Sequence, residues 1–363
     1  MDMAAARPAR DHALDALRGL AIFGMVLVNL QGDDKVAFPL LAHADWDGLT
    51  VADLVFPMFL LAAGLALPPA MDGRMPRASI GRIVRRSLLL WLIGFSIGFL
   101  VHASTHLADI RFTGVLERIG IVYLICALTC RETTGWRIPA IAAIGLMLLH
   151  GLLLYLPAPG ELASSMAKGQ GLSAWLDRAV LGGTRMYGKT FDPEGPLSTL
   201  GAIATAMIGV AVQRGVQQPV RQPNLFILAT AALLAALALF ASWLWPVNKA
   251  LWTPTFVLLN AAIGLGLWGL FRLVWPRIGK WAPVRLAETL GQVALTLYVV
   301  HALLTALLVI PIGKERLWKV SFDALARLGL PLDWTSLLYA VIGGALSILI
   351  TLALKRRGWV LRV

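Results

Sequence analysis

Residues 40–67 read LLAHADWDGLTVADLVFPMFLLAAGLAL. The stretch opens as a polar turn carrying His43, Asp45, Trp46, Asp47 and Asp53, and closes as an apolar run without a charge from Leu54 to Met71. A run of about 20 such residues crosses the roughly 30 Å hydrocarbon core of a bilayer as a helix. Similar windows recur along all 363 residues, of which 58% are hydrophobic and only 14% charged, with a mean hydropathy of +0.75. Soluble domains are nearer 25% charged. The expected fold is therefore all-α: a polytopic membrane protein, one transmembrane domain over 1–363 with no soluble domain appended.

Ten spans are expected, at about 13–31, 50–69, 81–101, 113–130, 137–156, 196–213, 224–245, 251–274, 289–311 and 334–354. With the N-terminus inside, 20 of the 32 lysines and arginines fall in inner segments, 11 in outer loops, and Arg118 within a span. The acids distribute the other way, 6 inside and 13 outside, with Glu117 in a span. Positive charge concentrates in cytoplasmic loops, so the expectation is N-in and C-in, with a cytoplasmic leader (1–12) and tail (355–363). The net charge of +12 then reflects topology and gives no reason to expect nucleic acid. His43 falls on the outer face, periplasmic in the inner membrane of a Gram-negative cell. The long outer loop 157–195 contains LSAWLDRAVLGG, read either as a short interfacial helix or as solvated loop. No cleavable signal is expected after the charged leader. Cys126 and Cys130, one helical turn apart, suit packing better than a disulfide, and no metal site is expected.

An ionisable residue inside the membrane costs at least about 2.5–3.5 kcal/mol at a helix centre, so each one needs a reason. Asp15 and Arg18 share a helix face near the inner boundary, either as an anchoring ion pair or with Arg18 turned toward an anionic ligand. Asn29 ends the same span, where an amide can point into a cavity. Glu117 and Arg118 are adjacent, hence about 100° apart on a helix, and each needs its own partner. Asp53 either caps the second span or, with Asp47 or Thr50 as the cap, faces inward. His301 lies mid-membrane, three residues after Tyr298. WPVNKALWTP (245–254) is a tight outer turn whose Asn248 and Lys249 either contact a polar acceptor or snorkel. The arginines of RMPRASIGRIVRRS (Arg74, Arg77, Arg82, Arg85 and Arg86) form a positive-inside loop whose fork-shaped donors also suit phosphate.

The strings RGLAIFGMVLVN and HADWDGLTVADLVFPMFLLAAG resemble the transmembrane acyltransferase family typified by heparan-α-glucosaminide N-acetyltransferase. The likeness continues through RFTGVLERIGIVYL, FDPEGPLSTLGAIATAMIGVAVQ, PVNKALWTPTFV and TLYVVHALL, from about residue 14 to 301. The resemblance implies an integral-membrane enzyme that takes acetyl-CoA from the cytoplasm and passes the acetyl group to a glucosamine-like sugar across the bilayer. It implies that His43 is the active histidine, acting as general base or acetyl carrier, with Asn29 as its partner and Arg118 on the family's G-V-L-Q-R string. It also implies a homodimer. Asp45 or Asp47 is then expected to orient the imidazole, and Arg18, Arg82, Arg85, Arg86 and Arg118 to hold CoA. Trp46, Asp53, Asn248, Lys249, Trp252 and His301 are the expected acceptor contacts. Departures fall at Asp47, where the animal enzyme has Asn, and at Glu117, where it has Gln; its large lumenal domain and first helix have no counterpart here. The alternative function is a proton-coupled transporter of a small polar solute, with the intramembrane acids and His301 as its relay. The lack of an inverted internal repeat argues against that.

Overall fold

A computed structural model describes residues 10–33, 35–74, 79–102 and 110–361. Arg77, most of the leader and the last two residues lie outside this set, as does the side chain of Arg74. The chain runs α1 (His12–Asn29), α2 (Val51–Arg74), α3 (Ile80–His102), α4 (Val115–Glu132), α5 (Arg137–Leu153), α6 (Gly171–Leu181), α7 (Pro196–Val216), α8 (Pro223–Ala241), α9 (Pro254–Ile278), α10 (Ala282–Gln292) and α11 (Ala294–Leu308). A two-residue hairpin, β1 (Pro311–Ile312) with β2 (Glu315–Arg316), then leads to α12 (Leu317–Ala326) and α13 (Leu332–Arg356). Local chemistry sets several starts. Asp11 accepts the Leu14 N–H at 3.0 Å and caps α1, and α7, α8 and α9 open on proline, whose missing N–H costs nothing in the first turn.

Helices occupy all ten expected segments, but among the described residues seven are long and apolar enough to cross a bilayer, or eight if α10 and α11, bent by 85° at Val293, form one broken span. Length and composition thus do not support a count of ten. Helix α4 carries Glu117, Arg118, Arg131 and Glu132 in 18 residues, and α5 has only 17 residues. Within the long loop, α6 covers most of LSAWLDRAVLGG.

Helices α2 and α7 form the centre, with 72% and 83% of their apolar windows buried, against 17–22% for α3, α8 and α13 at the periphery. Lipid tails are as apolar as leucine, so such helices associate through close packing of small residues. A Cβ on Gly64 of α2 would lie 2.1 Å from the Ala206 carbonyl oxygen of α7, and one on Gly209 2.4 Å from that of Leu61. Gly19 of α1 and Gly291 of α10 make an equivalent backbone contact. Cys126 and Cys130 are free thiols buried in the core cluster. His12 meets Glu288 of α10, and Lys355 near the end of α13 meets Gln292, so the start of α1 and the end of α13 share one end of the bundle. The ends that α1 and α3 reach, and from which α2, α4 and α7 start, face the other way.

Candidate active site

The site begins with a helix cap. Thr50, just before α2, donates its N–H and Oγ–H to Asp53 Oδ2 at 3.1 and 3.0 Å, a capping-box arrangement that satisfies an otherwise orphaned donor. The Ala44 N–H donates to the same oxygen at 3.1 Å. Asp53 is thereby fixed and buried, and its Oδ1 accepts the Nδ1–H of His43 at 2.9 Å. The imidazole itself stays open, 47% exposed against 1% for Asp53. Lys249, from the turn before α9, places Nζ 3.3 Å from Asp53 Oδ1 and 2.9 and 3.2 Å from the two ring nitrogens of His43. With Nδ1–H donated to Asp53, the Lys249 ammonium pairs with the carboxylate, and its acceptor on the ring is the His43 Nε2 lone pair at 3.2 Å. Burial pulls the Lys249 pKa below the usual lysine value, although Asp53 acts in the opposite direction.

His43, Lys249 and Asn29 line one cavity of about 330 Å³. Val55 and Phe56 of α2, Ile97 of α3 and Val115 of α4 supply apolar walls, and Glu117, Arg111, Glu194 and Tyr298 the polar ones. Asn29 Nδ2 donates at 3.3 Å to Nε2 of His301, whose Nδ1–H donates at 2.7 Å to the Tyr298 carbonyl. The backbone bond fixes the His301 tautomer, and His301 in turn fixes the Asn29 amide. Arg111 reaches both oxygens of Asp192, Oδ1 at 2.8 Å, and Glu194 Oε2 at 3.0 Å. Burial alone would lower the Arg111 pKa; Glu194 and Asp192 overcome this and hold it above its ordinary value. Beneath this network Asp177 of α6 accepts the Asp192 N–H at 3.0 Å, and burial lifts its carboxyl to about 7.

The expected site residues therefore divide. Asn29, His43 and Lys249 share the cavity, and Asp53 stands directly behind His43, with its oxygens engaged by His43, Ala44, Thr50 and Lys249 instead of facing an acceptor. The orienting role expected of Asp45 or Asp47 falls to Asp53. Asp47 instead accepts from Asn248 Nδ2 at 2.9 Å, and Gly48, with φ +122°, donates its N–H to Val247 at 2.8 Å, so these residues clamp two loops together. Asp45 is exposed and meets Lys168 only through its carbonyl. Trp46 spends its indole N–H on the Met166 carbonyl and packs edge-on against Phe191, tying the long loop to the motif. Asn248, Trp252 and His301 are buried; Trp252 bonds to Thr205 and stacks under Arg118 at 4.9 Å.

Arg118, expected to hold CoA, is 2% exposed and donates to the Pro193 and Gly195 carbonyls and to Ser198, pinning the 193–195 turn to the start of α7. Arg18, paired with Asp15 at 3.6 Å, and Arg82, Arg85 and Arg86 at the start of α3 lie at the opposite end of the bundle. They sit about 10–24 Å along their helices from the cavity residues on α1 and α3, at about 1.5 Å per residue. Arg86 stacks on Tyr123 at 4.6 Å. Residues that these expectations missed are Arg111, Asp192 and Glu194, although the quoted strings RFTG and FDPEG contain them.

Residues 10–163 match the family model described as heparan-alpha-glucosaminide N-acetyltransferase, catalytic. Human heparan-alpha-glucosaminide N-acetyltransferase is 28% identical over 312 residues, covering 69% of this chain and 47% of that protein. The chain is similar to the catalytic part of the heparan-alpha-glucosaminide N-acetyltransferases. The mouse protein gives the same 28% over 308 residues, with 68% and 46% coverage. The chain spans about half the length of the curated relatives it matches. The N-acetyltransferase family model takes in Asn29, His43, Asp53, Arg111 and Glu117; Asp192, Glu194, Lys249 and His301 lie beyond it but close the same site.

Proposed function

We propose that the chain is an integral-membrane N-acetyltransferase that moves an acetyl group from cytoplasmic acetyl-CoA to the amine of a glucosamine-like sugar on the far side of the bilayer. The observation that carries this is the His43–Asp53 pair at a cavity that Asn29 also lines, together with the names of the relatives. With Nδ1–H committed to Asp53, Nε2 is the basic nitrogen. It takes the proton from the attacking amine as the N–C bond forms and returns it to the departing thiolate, while Asp53 stabilises the imidazolium between those steps. In the two-step version Nε2 attacks the thioester carbonyl and expels the CoA thiolate; the amine then attacks the acetyl-imidazole, the C–Nε2 bond breaks, and the amine's proton passes to the released imidazole. The free N–H of the Asn29 amide is the donor for the developing oxyanion. The donor enters from the end that carries Arg18, Arg82, Arg85 and Arg86, which take its phosphates, and His43 sits near the periplasmic face. N-in, C-in topology and a homodimer complete the proposal.

The test is acetyl transfer to glucosamine by purified protein in nanodiscs. His43→Ala is expected to abolish transfer while inserting and eluting as the wild type does; wild-type rates in that variant would remove His43 from the mechanism. Exchange of labelled CoA into acetyl-CoA without acceptor identifies the two-step version, and no exchange identifies direct transfer.

A further inference from the structure

Among the described residues, every cation that lines the cavity already has a carboxylate. Arg111 has two, Asp192 and Glu194, and Lys249 has Asp53. Glu117 differs. It is 6% exposed and lines the same cavity, yet no side chain among the described residues hydrogen-bonds or ion-pairs with it. It occupies the third position of α4, where the positive end of the helix dipole and its own backbone N–H offset only part of what burial costs the charged form. The fold also makes room for that carboxylate. A Cβ on Gly94 of α3 would lie 2.5 Å from Glu117 Oε2, and one on Gly114 2.7 Å from the same atom. Two glycines, 20 positions apart in the chain, thus form a slot that any larger residue would fill. A buried anion in a largely apolar cavity is costly unless a cation or donor completes it.

We propose that Glu117 is the residue that binds the acceptor's ammonium group and selects an amine over a neutral sugar at this site. This rests on the acetyltransferase reading for the identity of the acceptor, but not for the binding itself. Arg111 lines the same cavity but is already shared between Asp192 and Glu194, so a cationic partner for Glu117 has to come from the ligand. A hydroxyl in place of the ammonium would gain a hydrogen bond but not the charge-assisted contact, which is the stronger by about twofold. An anion, such as the nucleotide end of CoA, would be repelled here.

Binding of glucosamine, glucose and acetyl-CoA to the purified full chain in nanodiscs, followed by calorimetry, tests this without any turnover. Wild type is expected to bind glucosamine at least tenfold more tightly than glucose. Glu117→Gln is expected to lose about 10- to 100-fold in glucosamine affinity, as expected for one charge-assisted hydrogen bond, with glucose unaffected. Gly94→Ala keeps the charge but displaces it, and is expected to weaken glucosamine as well; it decides the question if Glu117→Gln aggregates. Equal binding of glucosamine by wild type and either folded variant overturns the proposal. So does a wild type indifferent between the two sugars, or a Glu117→Gln variant that loses acetyl-CoA instead. If glucosamine binding depends on Glu117 while wild type transfers no acetyl group, the transferase reading fails and the binding role stands.

Discussion

Replacing Asp53 by Asn isolates the group behind the imidazole. The buried carboxylate holds His43 Nδ1–H at 2.9 Å and uses its other oxygen to accept from Ala44 and Thr50. An asparagine side chain is the same size, and its amide oxygen can keep the Thr50 and Ala44 donors. Its NH2 then faces His43 Nδ1 and favours the tautomer with the proton on Nε2, where no base remains for the amine. Loss of one charge-assisted hydrogen bond to the developing imidazolium costs about 1.5–3 kcal/mol, or roughly 10- to 150-fold in kcat. Tautomer inversion adds to this, and comparable dyads lose up to about 10⁴-fold. The helix cap survives, but Lys249 loses its carboxylate partner, so the Tm should fall. The assay is kcat for acetyl transfer to glucosamine at saturating acetyl-CoA, with the Tm measured alongside. Combining Asp53→Asn with His43→Ala should cost no more than His43→Ala alone, since the two act as one unit. A variant with wild-type kcat and an intact fold would refute the dyad.

Asn29→Ala should lower kcat about 10²- to 10³-fold if its amide serves the oxyanion, with glucosamine affinity within twofold of wild type; an unchanged kcat would limit Asn29 to holding His301. Asp177 makes a pH prediction on stability. Its folded carboxyl titrates near 7 against an ordinary 3.8, so the unfolded chain releases its proton first, and stability falls as pH rises from about 4 to 7. Asp177→Asn should therefore raise the Tm at about pH 8 and leave it unchanged at about pH 4; equal effects at both pH values would contradict the burial argument.

The apolar windows and their order were legible in the sequence because a bilayer imposes a length on each helix. The interior of α10–α11 was not, since an 85° bend at Val293 leaves no compositional mark beyond a polar amphipathic segment next to an apolar one. At the site, His43 and Asn29 stood out through the family resemblance of the strings around them, not through their own spacing. Their partners were not, because proximity in sequence misleads in a loop. Asp45 and Asp47 stand nearer His43 in the chain than Asp53, yet the capping turn before α2 folds Asp53 back under the ring, while Asp47 is drawn 201 residues away to Asn248. The 100° separation of neighbouring helical residues decided Glu117 and Arg118: one faces the cavity, the other α7 and Trp252. Arg111 and Asp192, 81 residues apart, meet only through the packing of α4 against α7, which no local periodicity records.

The most direct measurement is a structure of the full chain with bound acetyl-CoA in nanodiscs. The account predicts the thioester carbon in the cavity, about 3–3.5 Å from His43 Nε2 as a near-attack contact requires, with the nucleotide directed toward Arg18 and Arg86. A nucleotide seated at the acidic mouth beside Asp192 and Glu194, or a thioester out of reach of His43, would contradict it.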